Sequence, residues 1–156
     1  MIPEKIANFE KVSKSIDNAS YYDSIILPKR ATTGSAGYDF YLPIDIAINP
    51  NESKKIMTGV RVKIDPGYVL MIFPRSSLGT KYHLTLDNTV GIIDSDYYKA
   101  INEGHIIIVM TNHSNETLYL KKYDRFAQGI FLPFGITKDD VVKEERIGGF
   151  GSTDNK

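Results

Sequence analysis

The sequence predicts an all-β domain, a sandwich or barrel of short strands with at most one short helix. Three observations carry that prediction. Apolar residues recur with the period of two that a half-buried strand needs, at Ile44, Ile46 and Ile48 and again at Val60, Val62 and Ile64. Both runs stop on turn-forming clusters, Asn49-Pro50-Asn51 and Asp65-Pro66-Gly67. No long helical pattern separates the runs.

Taken in order, the chain opens with Ile6, Phe9, Val12 and Ile16, whose three-to-four-residue spacing allows a helix, although the segment is short and has no stop signal. Strands are expected from Ser24 onward. The first is Ile25-Ile26-Leu27, ended by Pro28; the runs around Ile46 and Val62 follow. Tyr68 to Phe73 is an almost wholly apolar strand, and the residues after Pro74 have room for the one short helix. Ile106 to Met110 and Leu118 to Leu120 are strands joined by the polar turn Asn112-His113-Ser114-Asn115, and Phe126 to Phe134 supplies another.

At 156 residues and 42% apolar content, the chain suits one domain with a filled core. Nineteen basic and 19 acidic side chains cancel to a formal charge of zero, which argues against a nucleic acid polymer as partner. A small phosphorylated ligand gripped by a few arginines stays open. With no cysteine, a disulfide scaffold, a thiolate metal site and a cysteine nucleophile are excluded. No apolar run approaches the ~20 residues of a membrane span and no secretory apolar segment opens the chain, so a soluble, cytoplasmic protein is expected.

Five segments could carry chemistry. In Leu86 to Tyr98 an apolar run is broken by Gly91, and Asp94 follows directly on Ile92 and Ile93, where partial desolvation would make it a useful base; Tyr97 is close enough to wall the same cavity. The same stretch also reads as a tight hairpin with an acidic tip. Pro74-Arg75-Ser76-Ser77-Leu78-Gly79 suits an anion cradle or an ordinary helix start. Ala36 to Phe40 is a bend before a strand, and Asp124-Arg125-Phe126-Ala127-Gln128 a surface turn entering one. Arg146-Ile147-Gly148-Gly149-Phe150-Gly151-Ser152-Thr153 reads as a solvated tail or as a lid, with donors to wrap phosphates and a ring to stack on a base.

Together and in this order, the five segments resemble the trimeric dUTP pyrophosphatase (dUTPase) family, over about residues 24 to 153. The resemblance implies a distorted jelly-roll of the β-clip kind over residues 1–145 and a flexible glycine-rich arm over 146–156. It implies hydrolysis of dUTP to dUMP and pyrophosphate by attack of water on the α-phosphorus. Asp94 matches the carboxylate that activates the water. Asn88 and the backbone at Ile92 and Ile93 match the groups that read the base, and Tyr97 the ring beneath the deoxyribose that leaves no space for a 2′-hydroxyl. Arg75, Ser76, Ser77 and Gln128 match phosphate contacts, and Arg125 a bracing residue. Asp39 matches an acid that holds Mg²⁺ through water, the ion being bound mainly by the triphosphate. Arg146, Phe150, Ser152 and Thr153 match the arm that closes over the nucleotide. The family's sites are built across the subunits of a homotrimer, with the arm from a third chain.

Three departures from the family pattern stand out. Tyr98-Lys99-Ala100-Ile101-Asn102-Glu103 before Gly104 is a longer connection than usual and is expected to extend a hairpin. Arg146 lies one position closer to Gly148-Gly149, and Gly129 replaces a large aliphatic residue. Two other readings compete. A dCTP deaminase-like enzyme of the same fold would need a glutamate near the base, where this chain has Asp94 and Asp96. A non-catalytic dUTP-sensing or protein-binding trimer would have no need of Asp94, Asp39, Arg75 and Phe150 together. His83, His105 and His113 lack ligand-like spacing; they are expected on the surface or in strands, with no zinc.

Overall fold

A computed structural model of the chain describes residues 2–16 and 20–150. The described residues form twelve strands, β1 (Ala7–Lys11), β2 (Lys29–Arg30), β3 (Tyr38–Tyr41), β4 (Ile46–Ile48), β5 (Ser53–Met57), β6 (Val60–Ile64), β7 (Tyr68–Pro74), β8 (Thr85–Leu86), β9 (Gly91–Ile93), β10 (Ile107–Thr111), β11 (Leu118–Leu120) and β12 (Arg125–Pro133). One short helix, α1 (Ser76–Tyr82), follows β7, where the sequence has room for it. Among the described residues the strands form open sheets in the orders β2-β3-β12-β7-β9, β5-β10-β8, β1-β6 and β11-β4, with no closed barrel. The ladders among these strands are all antiparallel. This is the predicted all-β, jelly-roll-like arrangement.

The core lies between the sheets and is filled by the alternate residues that the strand period turns inward, Leu70 and Ile72 of β7, Phe40 of β3, Phe126 of β12 and Met110 of β10. Phe40 is 1% exposed and Phe126 fully buried; each contributes about 1.5–3 kcal/mol from burial alone. Gly129 is explained by the same crowding. A methyl group there would meet Leu70 at 2.8 Å and Phe40 at 3.2 Å, so these neighbours fill the volume of a larger side chain.

Several local expectations are overturned. The opening segment is a strand, not a helix: β1 pairs with β6, and Phe9 inserts its ring against Tyr38, Phe40 and Phe131 with centroids 5.3–5.9 Å away. The helical spacing arises because Ile6 and Val12 are buried just outside the two ends of the strand while Phe9 packs from its middle. Ile25 to Leu27 makes no ladder; the short β2 begins only after Pro28. β5 has no place in the sequence reading, since Ser53-Lys54-Lys55 masks its alternation and pairing with β10 supplies the ladder.

The connection at 98–105 is not a hairpin extension. A 3-10 turn (Ser95–Lys99) and a second turn pack it against β1 and β6. Gly104 makes the return possible, with φ of +70° and no room for a Cβ, which would lie 2.6 Å from the Tyr97 carbonyl oxygen. His105 is likewise neither on the surface nor in a strand. It is 1% exposed and its Nε2 accepts the Gly59 N–H at 2.8 Å.

Candidate active site

The turn from Leu86 to Gly91 crosses from one sheet to another. β8 pairs with β10, whereas β9 pairs with β7, so the two sides of the turn do not pair with each other as a hairpin would. The turn is held by Thr89 N–H to Leu86 O (3.0 Å), Val90 N–H to Asn88 O (2.7 Å) and the Asp87 carboxylate, which accepts from the Thr111 hydroxyl. Diverging strands leave a wedge, and the wedge is a cavity of about 500 Å³, a volume typical of a small-molecule site. Ile72, Leu86 and Ile107 to Val109 make its apolar wall, and Asp87, Asn88, Asp94 and Arg146 its polar one. Gly91 keeps it open where β9 meets β7, since a Cβ would stand 3.2 Å from that of Ile72. β9 is the edge of its sheet. An edge strand directs alternate N–H and C=O groups away from its single partner, and here the outward side belongs to a cavity-lining segment.

Tyr97 lies along the cavity, 6% exposed, its hydroxyl donating to the His105 carbonyl oxygen at 2.7 Å. Burial pushes that hydroxyl above its ordinary pKa, against the Asn102 hydrogen bond and the Arg146 charge, which act the other way. Asp94 follows β9 directly and is half buried in the single chain, its side chain 50% exposed. Its neutralising partner is Arg146, whose guanidinium reaches Asp94 at 2.7 Å and Asp96 at 2.9 Å and lies 5.8 Å from the centre of the Tyr97 ring. Asp96, absent from the expected site, is thus a second anchor for the arm; its position two residues after Asp94, with one serine between, is the signal that could have found it. Because the carboxylates are half exposed, each contact is worth about 0–1 kcal/mol, weak enough for a polyanion to displace.

Of the expected site residues, the cavity brings together Asn88, Ile92, Ile93, Asp94, Tyr97, Arg146 and Phe150. In the single chain the arm reaches this cavity itself, where an arm from a third chain is expected, with Phe150 and Gly149 among the lining residues. Ser152 and Thr153 lie outside the described residues.

A second group is kept apart from the cavity. Asp39, Gln128 and Phe73 stand abreast on β3, β12 and β7, and Arg75 follows at the start of α1 with Ser76 and Ser77 exposed beside it. Arg125 pairs with Asp39 at 3.2 Å, the bracing contact that leaves Asp39 15% exposed. Arg75 and Arg125 share a hollow with Tyr41, Leu78, Leu120, Tyr123 and Asp124. None of these residues lines the larger cavity. Among the described residues no three carboxylate or histidine groups converge as a metal cluster. Nor is any helix long and apolar enough to cross a membrane.

A dUTPase family model matches residues 23–153. The deoxyuridine 5′-triphosphate nucleotidohydrolase of Lactococcus lactis subsp. lactis is 43% identical over 152 residues, covering 96% of this chain and 98% of that protein. Its counterpart in Paraburkholderia xenovorans is 40% identical, covering 81% and 88%. Among solved structures, the dUTPase of Streptococcus mutans superposes with a TM-score of 0.70 at 38% identity, covering 83% of this chain and 97% of that one. A phage phi11 dUTPase from Staphylococcus aureus, whose structure describes a structural Mg(II) ion, also reaches 0.70 but at 22% identity, a likeness of fold alone, covering 90% and 98%. With its two-sheet cavity, its acidic turn and a family match over most of its length, this chain belongs to the dUTPase family.

Proposed function

We propose that this chain, a dUTP nucleotidohydrolase by its family, splits dUTP into dUMP and pyrophosphate through a water molecule activated by Asp94. One observation carries the reading: a cavity of nucleoside size lies between the β9 edge and Tyr97, with Asp94 at its mouth and the arm across it. Asn88 and the outward backbone groups of β9 read the uracil edge. Cytosine would leave buried polar groups unpaired, a penalty far larger than a lost contact. Tyr97, pinned by its hydroxyl, forms a floor too close for a 2′-hydroxyl. Asp94 orients the water and takes its proton as oxygen attacks the α-phosphorus; the bond to the bridging oxygen breaks and pyrophosphate leaves. Such a reaction is accelerated chiefly by positioning and by neutralising charge. Arg75, Ser76, Ser77 and Gln128 supply donors to the phosphates. Arg146 exchanges Asp94 and Asp96 for the incoming polyanion, which frees Asp94 to act, and Phe150 closes on the base with Ser152 and Thr153 beyond it.

Mg²⁺ fits this chain in one way. Asp39 is a single carboxylate already braced by Arg125, insufficient to hold the ion alone but suited to contact one of its waters while phosphates occupy the inner sphere. When bound, the ion supplies charge neutralisation to the triphosphate.

The separation of the two residue groups supports a homotrimer in which one subunit's Arg75 group faces another's cavity. So does the apolar surface left on residues 134–142, where Phe134, Ile136, Val141 and Val142 are 53–80% exposed.

A panel of dUTP, dCTP, dTTP and UTP with Mg²⁺, with the products identified, tests the reading. Pyrophosphate and dUMP from dUTP alone are expected. A uracil product from dCTP would move the chain to the deaminases, and binding of dUTP without turnover would make it a sensor.

A further inference from the structure

Asn102 belongs to the connection that departs from the family pattern, yet it touches both Tyr97 and the arm, which line the same cavity. The connection is firmly held. Tyr98 lies under the Arg61 guanidinium at 3.7 Å and donates its hydroxyl to Glu10 at 2.7 Å, while the Glu103 carboxylate accepts from the Ser13 N–H at 3.2 Å and the Ser13 hydroxyl at 2.6 Å. Between these anchors the Asn102 amide uses both its ends. Its Nδ2 donates to the Tyr97 hydroxyl at 2.8 Å, and its Oδ1 accepts the Gly104 N–H at 3.1 Å. The third neighbour is the arm. A methyl group on Gly149 would stand 2.8 Å from Asn102 Cγ and 3.0 Å from both its Nδ2 and Oδ1, so the amide closes against the arm at Gly149 and leaves no room for a side chain there. Gly149 immediately precedes Phe150, whose ring lines the cavity.

We propose that Asn102 is a positioning residue that couples seating of the arm to the placement of Tyr97, through an amide that holds the phenol on one side and receives Gly149 on the other. This deepens the dUTP reading and rests on it. Only an asparagine-sized amide meets all three demands: aspartate lacks the donor for Tyr97, and glutamine would push its head group into the arm.

The test measures affinity for a non-hydrolysable dUTP analogue, with Mg²⁺, in the full chain and in a chain ending at Glu145. Asn102→Ala is expected to weaken binding about tenfold in the full chain, the loss of one or two hydrogen bonds, and much less in the truncated one. Gly149→Ala is expected to cause a similar loss that Asn102→Ala does not deepen, because removing the amide opens the space the methyl needs. A separate readout needs no nucleotide: trypsin should cut after Arg146 several-fold faster in Asn102→Ala than in the unmodified protein. If Asn102→Ala fails to fold, Asn102→Asp, which keeps the acceptor for Gly104, takes its place. Equal losses with and without the arm, additive losses in the double variant, or unchanged tryptic cleavage would overturn the coupling. Failure of the unmodified chain to bind the analogue would instead overturn the dUTP reading, and the tryptic comparison would still decide the contact between Asn102 and the arm.

Discussion

The two halves of the candidate site differ in how finished they are. The half proposed to take the nucleoside is a cavity with largely apolar walls, a pinned tyrosine and an arm across its mouth. The half proposed to take the phosphates is a row of donors on an open strand end, with Ser76 and Ser77 exposed and Arg75 in a shallow hollow. A base and sugar are recognised by shape and by buried donor–acceptor pairs, which demand a formed cavity. A triphosphate is recognised by charge and by donors that another surface can bring up. The contrast explains how one polypeptide can carry every residue of a site and still leave the site in two pieces.

The sharpest way to break this comparison is to disable each half in a different chain. Asp94→Asn is expected to lower turnover about a thousandfold while binding survives, and Arg75→Ala to lose both affinity and rate. Refolding the two inactive proteins together should restore about a quarter of the sites if the halves meet across subunits, since each site then draws its halves at random. No recovery would place both halves of each site on one chain. Deleting residues from Ile147 onward ranks next, with turnover expected to fall about a hundredfold while the melting temperature stays put, because the arm is proposed to position substrate and its described residues add nothing to the core.

Smaller effects sharpen the difference rather than test it. Gly104→Ala strains a backbone at φ +70° and drives a methyl into the Tyr97 carbonyl oxygen, so a loss of about 1–3 kcal/mol is expected, read as a lower melting temperature. Nucleoside binding should suffer with it, while the Arg75 half is untouched. The smallest effect is alkaline. The Tyr97 hydroxyl is raised above 10.0 by burial, so its contribution to stability is complete below about pH 10 and is lost as pH climbs through the raised folded value. A melt series from pH 8 upward should show that loss in the unmodified protein and a shallower one in Tyr97→Phe.

How much of this was legible beforehand follows from the range over which each feature is decided. Strands β4, β6, β7, β10, β11 and β12, and the helix α1, were readable because period-two alternation, turn clusters and a proline-ended run are local properties. The five segments that point to dUTP are also local strings, so the family was written in the sequence. Tertiary structure alone decided the rest. β1 and β5 exist because β6 and β10 offer them edges. The turn at 86–91 became a wedge because its two sides joined different sheets. Asp94 is partnered by a residue 52 positions away, and Asn102 meets an arm that no spacing could bring to it. Hydrogen-bond partners and packing neighbours distant in the chain leave no periodic mark on it, so a sequence can name the chemistry while the fold chooses which groups stand together.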